Sequence, residues 1–380
     1  MGEPCGPARK QGDVTKRMQI VICGLSITSS WGNGHATTYR ALVRALTQRC
    51  HQVLFLERDK PWYASNRDMP SPPYGTTKLY RSLADLDRRF RPAIANADFV
   101  IIGSFVPEGV AVAEWVLDTA RGIVAFYDID TPVTLGKLYA DDTEYLSREL
   151  IPSFDLYLSF TGGPTLKILE REFGARFAAP LYCSVDPDLY FPQPASRKWE
   201  LGYLGTYSDD RQPNLERLML EPAARMPAAK FVVAGSLYPT DIEWPANVMR
   251  IDHLPGSGHR KFYNSQKFTL NVTRRRMIES GYSPSVRLFE AGACGVPIIS
   301  DRWRGIEEVL EPGKEILIAD SAEESAEYLR SIKDAEAVRI GKRARARILA
   351  EHTSGVRSSQ LETYVKKLTR RNRSKSSAAD

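Results

Sequence analysis

The chain has 380 residues, of which 43% are hydrophobic and 26% charged, with a formal net charge of +6. That length suits about two domains, and the composition is that of an ordinary soluble globular protein. No stretch approaches the roughly 18 consecutive apolar residues of a membrane span.

The opening MGEPCGPARKQGDVTKR is polar and lacks the apolar core of a signal peptide, so residues 1–16 read as a flexible tail and the predicted location is cytoplasmic. From Met18 the chain alternates strand and helix. MQIVIC (18–23) is a short apolar run closed by Gly24, suited to a buried parallel strand. The polar SITSSWGNGHATT precedes a helical pattern in ALVRALTQRC, and HQVLFLE (51–57) is the second strand. DFVIIGSF (98–105), GIVAFYDID (122–130) and DLYLSF (155–160) continue the rhythm, with VAVAEWVLDTA and PTLKILEREF as helices.

CSVDPDLYFPQPASRK (183–198) is proline-rich and aperiodic, so it reads as a linker. A second cycle follows with ELGYLG (200–205), AKFVVAG (229–235), NVMRI (247–251), FTLNVT (268–273), VPIIS (296–300) and ILIAD (316–320), then amphipathic helices. Alternation of this kind implies parallel βαβ units. The predicted architecture is α/β, with two Rossmann-like domains, 17–182 and 199–350, facing a cleft. Residues 351–368 form a C-terminal helix able to cross back to the first domain, and 369–380 a basic disordered tail.

Five scattered cysteines show no metal-ligand spacing, so neither a disulfide framework nor a metal site is predicted. The tail KKLTRRNRSKSS is either a solvated end or a weak attachment to an anionic membrane at its inner face. No aromatic-interleaved basic surface accompanies it, and nucleic-acid binding is not predicted.

Open α/β sheets bind ligands beyond the carboxyl ends of their strands. In SSWGNGHATTYR (29–40), Gly32, Asn33 and Gly34 form a turn that a ligand can approach, and His35 is either a general base or a locally bonded helix-start residue. In ERDKPWYASNRD (57–68), Asp59, Arg67, Trp62 and Tyr63 offer a sugar-binding mix of charge and aromatic faces, or simply a structured loop. Asp128 and Asp130 in FYDIDTPVT alternate along a strand end and should point the same way, as hydroxyl ligands or a carboxylate base. Otherwise Asp130 caps the next turn.

In GYLGTYSDDRQPN (202–214), Gly205 opens a turn beside Tyr207, and Arg211 could meet a diphosphate with a fork of donors. Arg274 heads a run of three arginines at another strand end. In SPSVRLFEAGACGVPIIS (283–300), Ser283 reads as the N-cap with Pro284 at the first helical position. Helical spacing then puts Ser283, Arg287 and Glu290 on one face, and Val286, Phe289 and Ala293 toward the core. An ordinary surface ion pair between Arg287 and Glu290 is the alternative.

SVRLFEAGACGVPIISD with RGIEEVLEPGKEILIADS resembles the donor-binding segment of GT-B glycosyltransferases, specifically the CgeB-like (spore maturation protein) group. YDIDTPVT, DLYLSFTGGP, LYCSVDP, GYLGTYSDDRQ and LNVTRRRMIESGYSPS share the resemblance, which spans Met18 to about Ser321. It implies hexosyl transfer from a nucleotide-diphosphate sugar to a glycan, lipid or protein acceptor in cell-envelope or surface glycan synthesis. It also implies no metal and no cofactor beyond the donor substrate.

By resemblance Glu290 matches the acid that holds the nucleotide ribose. Arg211 and Arg287 serve the diphosphate with help near Gly305, and Gly205, Tyr207, Arg274, Ser283 and Ser285 complete the donor side. Gly32, Asn33, Gly34, Asp59, Trp62, Tyr63 and Arg67 form the acceptor side, with His35, Asp128 and Asp130 as catalytic candidates. Related retaining enzymes carry two glutamates with seven residues between them, the later one at the position of Glu290; here Tyr282 stands at the earlier position and Glu279 is the nearest earlier acid. GNGHAT is instead similar to the first-helix turn of inverting GT-B enzymes, so retention and inversion both stay open. A non-catalytic sugar or nucleotide binder on the same scaffold is the alternative function. A nicotinamide oxidoreductase is disfavoured because no complete G-x-G-x-x-G follows either first strand.

Overall fold

A computed structural model describes residues 17–32 and 34–376, with side chains through 371. By contacts the chain divides into two units: the first runs to Tyr182 and is completed by the segment from Ser354, and the second is Cys183–Thr353. Each holds one wholly parallel sheet.

In the first unit the strands are β1 (Gln19–Gly24), β2 (Gln52–Arg58), β3 (Thr76–Tyr80), β4 (Phe99–Gly103), β5 (Ile123–Asp128), β6 (Leu156–Ser159) and β7 (Ala178–Pro180), in the order β3-β2-β1-β4-β5-β6-β7. β4 and β5 are buried along their whole length, which is why they read as continuous apolar runs. Strand order across the sheet reverses between β1 and β4, and the loops after these two strands diverge to leave a crevice between them. β3 and β7 escape the sequence reading. The first is an edge strand with alternating exposure and polar residues, and the second is only three residues long.

The second unit holds β8 (Trp199–Leu204), β9 (Phe231–Ala234), β10 (Val248–Ile251), β11 (Gln266–Asn271), β12 (Ile298–Ser300) and β13 (Leu317–Ile318), in the order β10-β9-β8-β11-β12-β13. Here the reversal falls between β8 and β11. Leu201, Tyr203, Phe231, Val233, Phe268, Leu270 and Ile299 form its core with the flanking helices.

Residues 183–198 contain no helix or strand, but they belong to the second unit rather than hanging free. Tyr190 is buried, Val185 bridges to Thr353, and Asn264 binds both Phe191 O and Gln193 N–H. The C-terminal helix spans Ser354–Ser376, so the tail predicted to be disordered from Thr369 is helical to Ser376; Leu368 is buried, and Lys and Arg extend a helix readily. This helix docks on the first unit through Glu362, which is buried and receives Arg49 Nε at 2.6 Å and His51 Nε2 at 2.9 Å. Burial pushes the Glu362 carboxyl up, but Arg49 and His51 outweigh it and bring the group down to about 2. Met18 N–H donates to His51 Nδ1, which fixes the tautomer that donates to Glu362 from Nε2.

Cys23, Cys183 and Cys294 are free and buried, while Cys50 is disulfide-bonded, against the expectation of no disulfide. Among the described residues no helix is long and apolar enough to cross a membrane.

Candidate active site

In the first unit the crevice after β1 is built from its own charges. Glu57 ends β2 fully buried and accepts from Ile27 N–H (2.7 Å), Thr28 N–H (3.0 Å) and Thr28 Oγ1 (2.6 Å), so it shapes the loop after β1. Asp68 takes both terminal nitrogens of Arg40 and the N–H and hydroxyl of Ser30. Burial raises the Asp68 carboxyl, but these bonds hold it well below the usual carboxylate range. Asp59 and Arg67 bind one another at 2.6 Å, and Arg67 Nε reaches Thr28 Oγ1. The loop therefore uses its polar residues internally. Trp62 remains half exposed with Lys60 over its ring, and Tyr63 is buried. Gly32 has φ +65, a conformation that favours glycine; Gly34 caps the helix His35–Gln48 in ordinary helical geometry. Asn33 lies outside the described residues.

His35 opens that helix, buried, with Nε2 2.8 Å from Asp130 Oδ2 and its ring edge-on to Phe105. Among the described residues its buried Nδ1 has no hydrogen-bond partner. Asp128 and Asp130 do not point the same way. β5 ends at Asp128, the chain turns, and Asp130 N–H donates back to Asp128 Oδ1 (3.1 Å). Asp128 is wholly buried and also accepts from Thr134 Oγ1 (2.8 Å) and Tyr157 Oη (2.7 Å). Burial pushes its carboxyl up to about 6 against these bonds. So Asp128 anchors the turn from inside, and Asp130 alone meets His35.

In the second unit the centre is the helix Val286–Ala293, which is buried on nearly every side. Arg287 Nε donates to Leu204 O (2.6 Å) at the end of β8, and Nη1 to Asn271 Oδ1 (2.9 Å) at the end of β11. The guanidinium thus spans the strand reversal. Its carbon lies 4.6 Å from the Tyr203 ring centroid. Nη2 makes no hydrogen bond among the described residues and faces Gly205, where an added Cβ would come within 2.7 Å of it and 2.5 Å of Tyr203 Oη. A side chain at 205 would fill the space in front of this open donor.

Asn271 is the hub. It accepts from Arg287 and from Ser285 Oγ (2.7 Å), and donates to Ser300 Oγ (2.9 Å). Beside it Asp301 is buried and accepts from Thr273 N–H (2.8 Å), Thr273 Oγ1 (2.7 Å) and Asn214 Nδ2 (3.1 Å). Burial pushes the Asp301 carboxyl up, and the Thr273 bonds oppose it. Asn271, Thr273 and Asp301 went unnoticed in the sequence as site residues. The available signal was a polar residue closing an apolar strand, in FTLN and PIISD.

Several expectations for this helix change. Its N-cap is Ser285, not Ser283, because Ser283 Oγ turns back to Gly281 O and Ser285 takes the extended backbone of a cap. Val286, placed in the core by spacing, is partly exposed, whereas Arg287 and Glu290 are buried. Among the described residues Arg287 and Glu290 form no ion pair. Glu290 Oε2 instead accepts from Tyr263 Oη (2.9 Å) and lies 3.9 Å from His259 Nδ1.

Arg211 donates from Nη2 to Thr206 O (2.6 Å), and its buried Nε has no partner among the described residues. Tyr207 binds Asp209, and Arg274 lies 3.7 Å from Asp210 on the same loop. Tyr282, with φ +48, donates its N–H to Arg304 O and lays its ring where a side chain on Gly305 would stand. The structure therefore gathers Gly205, Ser285 and Arg287 around one point and seats Glu290, Arg274 and Gly305 on other partners. Among the described residues no group of three or more His, Cys, Asp or Glu side chains could hold a metal ion.

Residues 211–363 match the family described as glycosyl transferase-like. No curated protein matches the chain. Among solved structures, the chain is similar to sucrose-phosphate synthase from Thermosynechococcus elongatus, with 14% identity, TM-score 0.65, and coverage of 92% of this chain and 99% of that one. Anabaena HepE in complex with UDP and glucose gives 12% identity and TM-score 0.69, over 92% of this chain and 100% of that one. An α-glucosyltransferase in complex with UDP and a 13-mer DNA containing an HMU base gives 14% and 0.70, over 92% and 99%. Likeness over nearly the whole of both chains, with two parallel sheets of reversing strand order, gives this protein the α/β GT-B fold.

Proposed function

We propose that this protein is a glycosyltransferase of the CgeB-like group that moves a sugar from a nucleotide-diphosphate donor to an acceptor hydroxyl. The observation that supports it is Arg287: a buried guanidinium fixed on two strand ends, with one free donor edge opening onto Gly205. Such a group suits a diphosphate, which needs fixed positive donors when the sugar–phosphate bond breaks and charge gathers on the departing nucleotide. Arg211 adds a second guanidinium on the loop after β8, and Tyr263 orients Glu290 for the ribose hydroxyls. These donors supply the charge stabilisation without a metal in the scheme. In the first unit the His35–Asp130 pair takes the acceptor proton as the new glycosidic bond forms.

The acceptor is a glycan, lipid or protein of the cell envelope, glycosylated on the cytoplasmic side. Lys366, Lys367, Arg370 and Arg371 are exposed on the C-terminal helix, which suits weak attraction to an anionic membrane surface. A non-catalytic nucleotide-sugar binder is the second reading, favoured by Tyr282 standing where related retaining enzymes carry an acid.

The test is a panel of UDP-, GDP-, ADP- and TDP-sugars, with binding and nucleotide release followed on the full chain. Release stimulated by an acceptor extract supports transfer, and binding without turnover supports the second reading. Binding of no donor overturns both.

A further inference from the structure

The loop after β9 holds an anomaly. Leu237 is 74% exposed and has φ +68, a left-handed conformation disfavoured for leucine. Neither feature comes from a slack loop. Tyr207 N–H donates to Ser236 O (2.9 Å), and Tyr238 Oη donates to Gly205 O (3.1 Å). Arg250 stacks on Tyr238 and Trp244 while donating to Val233 O and Gly235 O. The backbone on both sides of Leu237 is thus fixed, and it presents an apolar side chain to water from a strained residue. Backbone strain of this kind gathers where a ligand is bound.

The position narrows the ligand. Gly235 touches Gly205, since a Cβ there would stand 1.9 Å from Gly205 O, so the Leu237 loop borders the space in front of Arg287. In the sheet order β9 lies on the far side of β8 from β11. With Arg287 between β8 and β11, β9 lies one to two strand spacings away, about 5–10 Å, so the loop it leads into is within the reach of a nucleoside whose diphosphate meets Arg287. A bare isobutyl group is poorly matched to a diphosphate or to sugar hydroxyls and well matched to the flat face of a heteroaromatic ring.

We propose that Leu237 is a specificity-determining residue that packs on the nucleobase of the donor. This inference rests on the reading of the second unit as the nucleotide-sugar site. Tyr207, held to Ser236 through its backbone, stands beside it.

The experiment titrates the full chain and its Leu237→Gly, Leu237→Asn and Leu237→Met variants with UDP, ADP and GDP, and with inorganic pyrophosphate as competitor. Glycine and asparagine relieve the positive φ, so both variants should melt no lower than the parent. Both should lose about tenfold in affinity for the preferred nucleotide, the worth of one buried apolar side chain. Pyrophosphate affinity should not change, and Leu237→Met should stay within about twofold of the parent. Unchanged nucleotide affinity in the glycine variant, or an equal loss for pyrophosphate, overturns the inference while leaving the donor site standing. A parent chain that binds none of the three nucleotides removes the donor reading itself, and this inference with it.

Discussion

In the first unit, the charged residues that follow β1 and β2 end on one another. Glu57 holds the backbone of Ile27 and Thr28, Asp68 holds Arg40 and Ser30, and Asp59 holds Arg67. In the second unit the corresponding strand ends hold Arg287, which uses Nε and Nη1 on protein acceptors but leaves Nη2 facing Gly205, and Arg211, whose Nε has no partner among the described residues. Similar residue types at similar topological positions thus do opposite things. Where each cation has a carboxylate at hand, the set fixes loop shape; where acceptors are fewer than donors, a positive edge remains for an anionic ligand.

Three substitutions sharpen or break this contrast. Arg287→Lys keeps the charge but loses the planar fork and its bonds to Leu204 O and Asn271 Oδ1, so nucleotide affinity should fall by roughly two to three orders of magnitude, with a lower melting temperature in a chain that still folds. Calorimetric titration with UDP, ADP and GDP reads it, and wild-type affinity would remove Arg287 from the donor site.

Next is the pH dependence set by Asp128. Its folded value is raised from 3.8 to about 6, so the native state binds the proton more tightly than the unfolded chain. The stability this contributes is full below about pH 4 and is lost as pH rises through about 6, a fall of about 3 kcal/mol. Asp128→Asn should flatten that part of the profile in urea melts taken between pH 4 and 7; an unaltered slope would show that another group carries it.

The smallest effect is expected from Glu57→Gln, which sets an amide N–H₂ against the N–H groups of Ile27 and Thr28. A loss of about 2 kcal/mol in stability should follow, with nucleotide affinity intact. Loss of affinity without loss of stability would mean that the loop after β1 is a ligand site rather than a self-held shape.

Much of the fold was legible because parallel strands buried on both faces leave apolar runs that stand out, as in QIVICG and FVIIG. The edge strands β3 and β7 left no such run, and the helical stretch beyond Thr369 was masked by its charge. The strand ends were legible too: Gly205 and Arg211 follow β8, and Arg287 reaches the ends of β8 and β11, as the strand pattern implies. What failed was inference of direction. Spacing suggested that Asp128 and Asp130 share a face and that Arg287 and Glu290 do too, but Asp130 turns to His35 while Asp128 stays inside, and Arg287 and Glu290 take separate hydrogen-bond partners.

The alternation of strand and helix, the two parallel sheets and the clustering of polar residues at strand ends are written locally in the chain, because they follow from hydrophobic pattern and burial. Which of those residues satisfy each other, and which stay open, is set by contacts between distant segments. Hydrogen-bond partners such as Leu204 and Asn271 for Arg287, or Asp130 for His35, come from strands and helices far apart in the chain. Their pairing is set by sheet order and crossover, which no local spacing encodes.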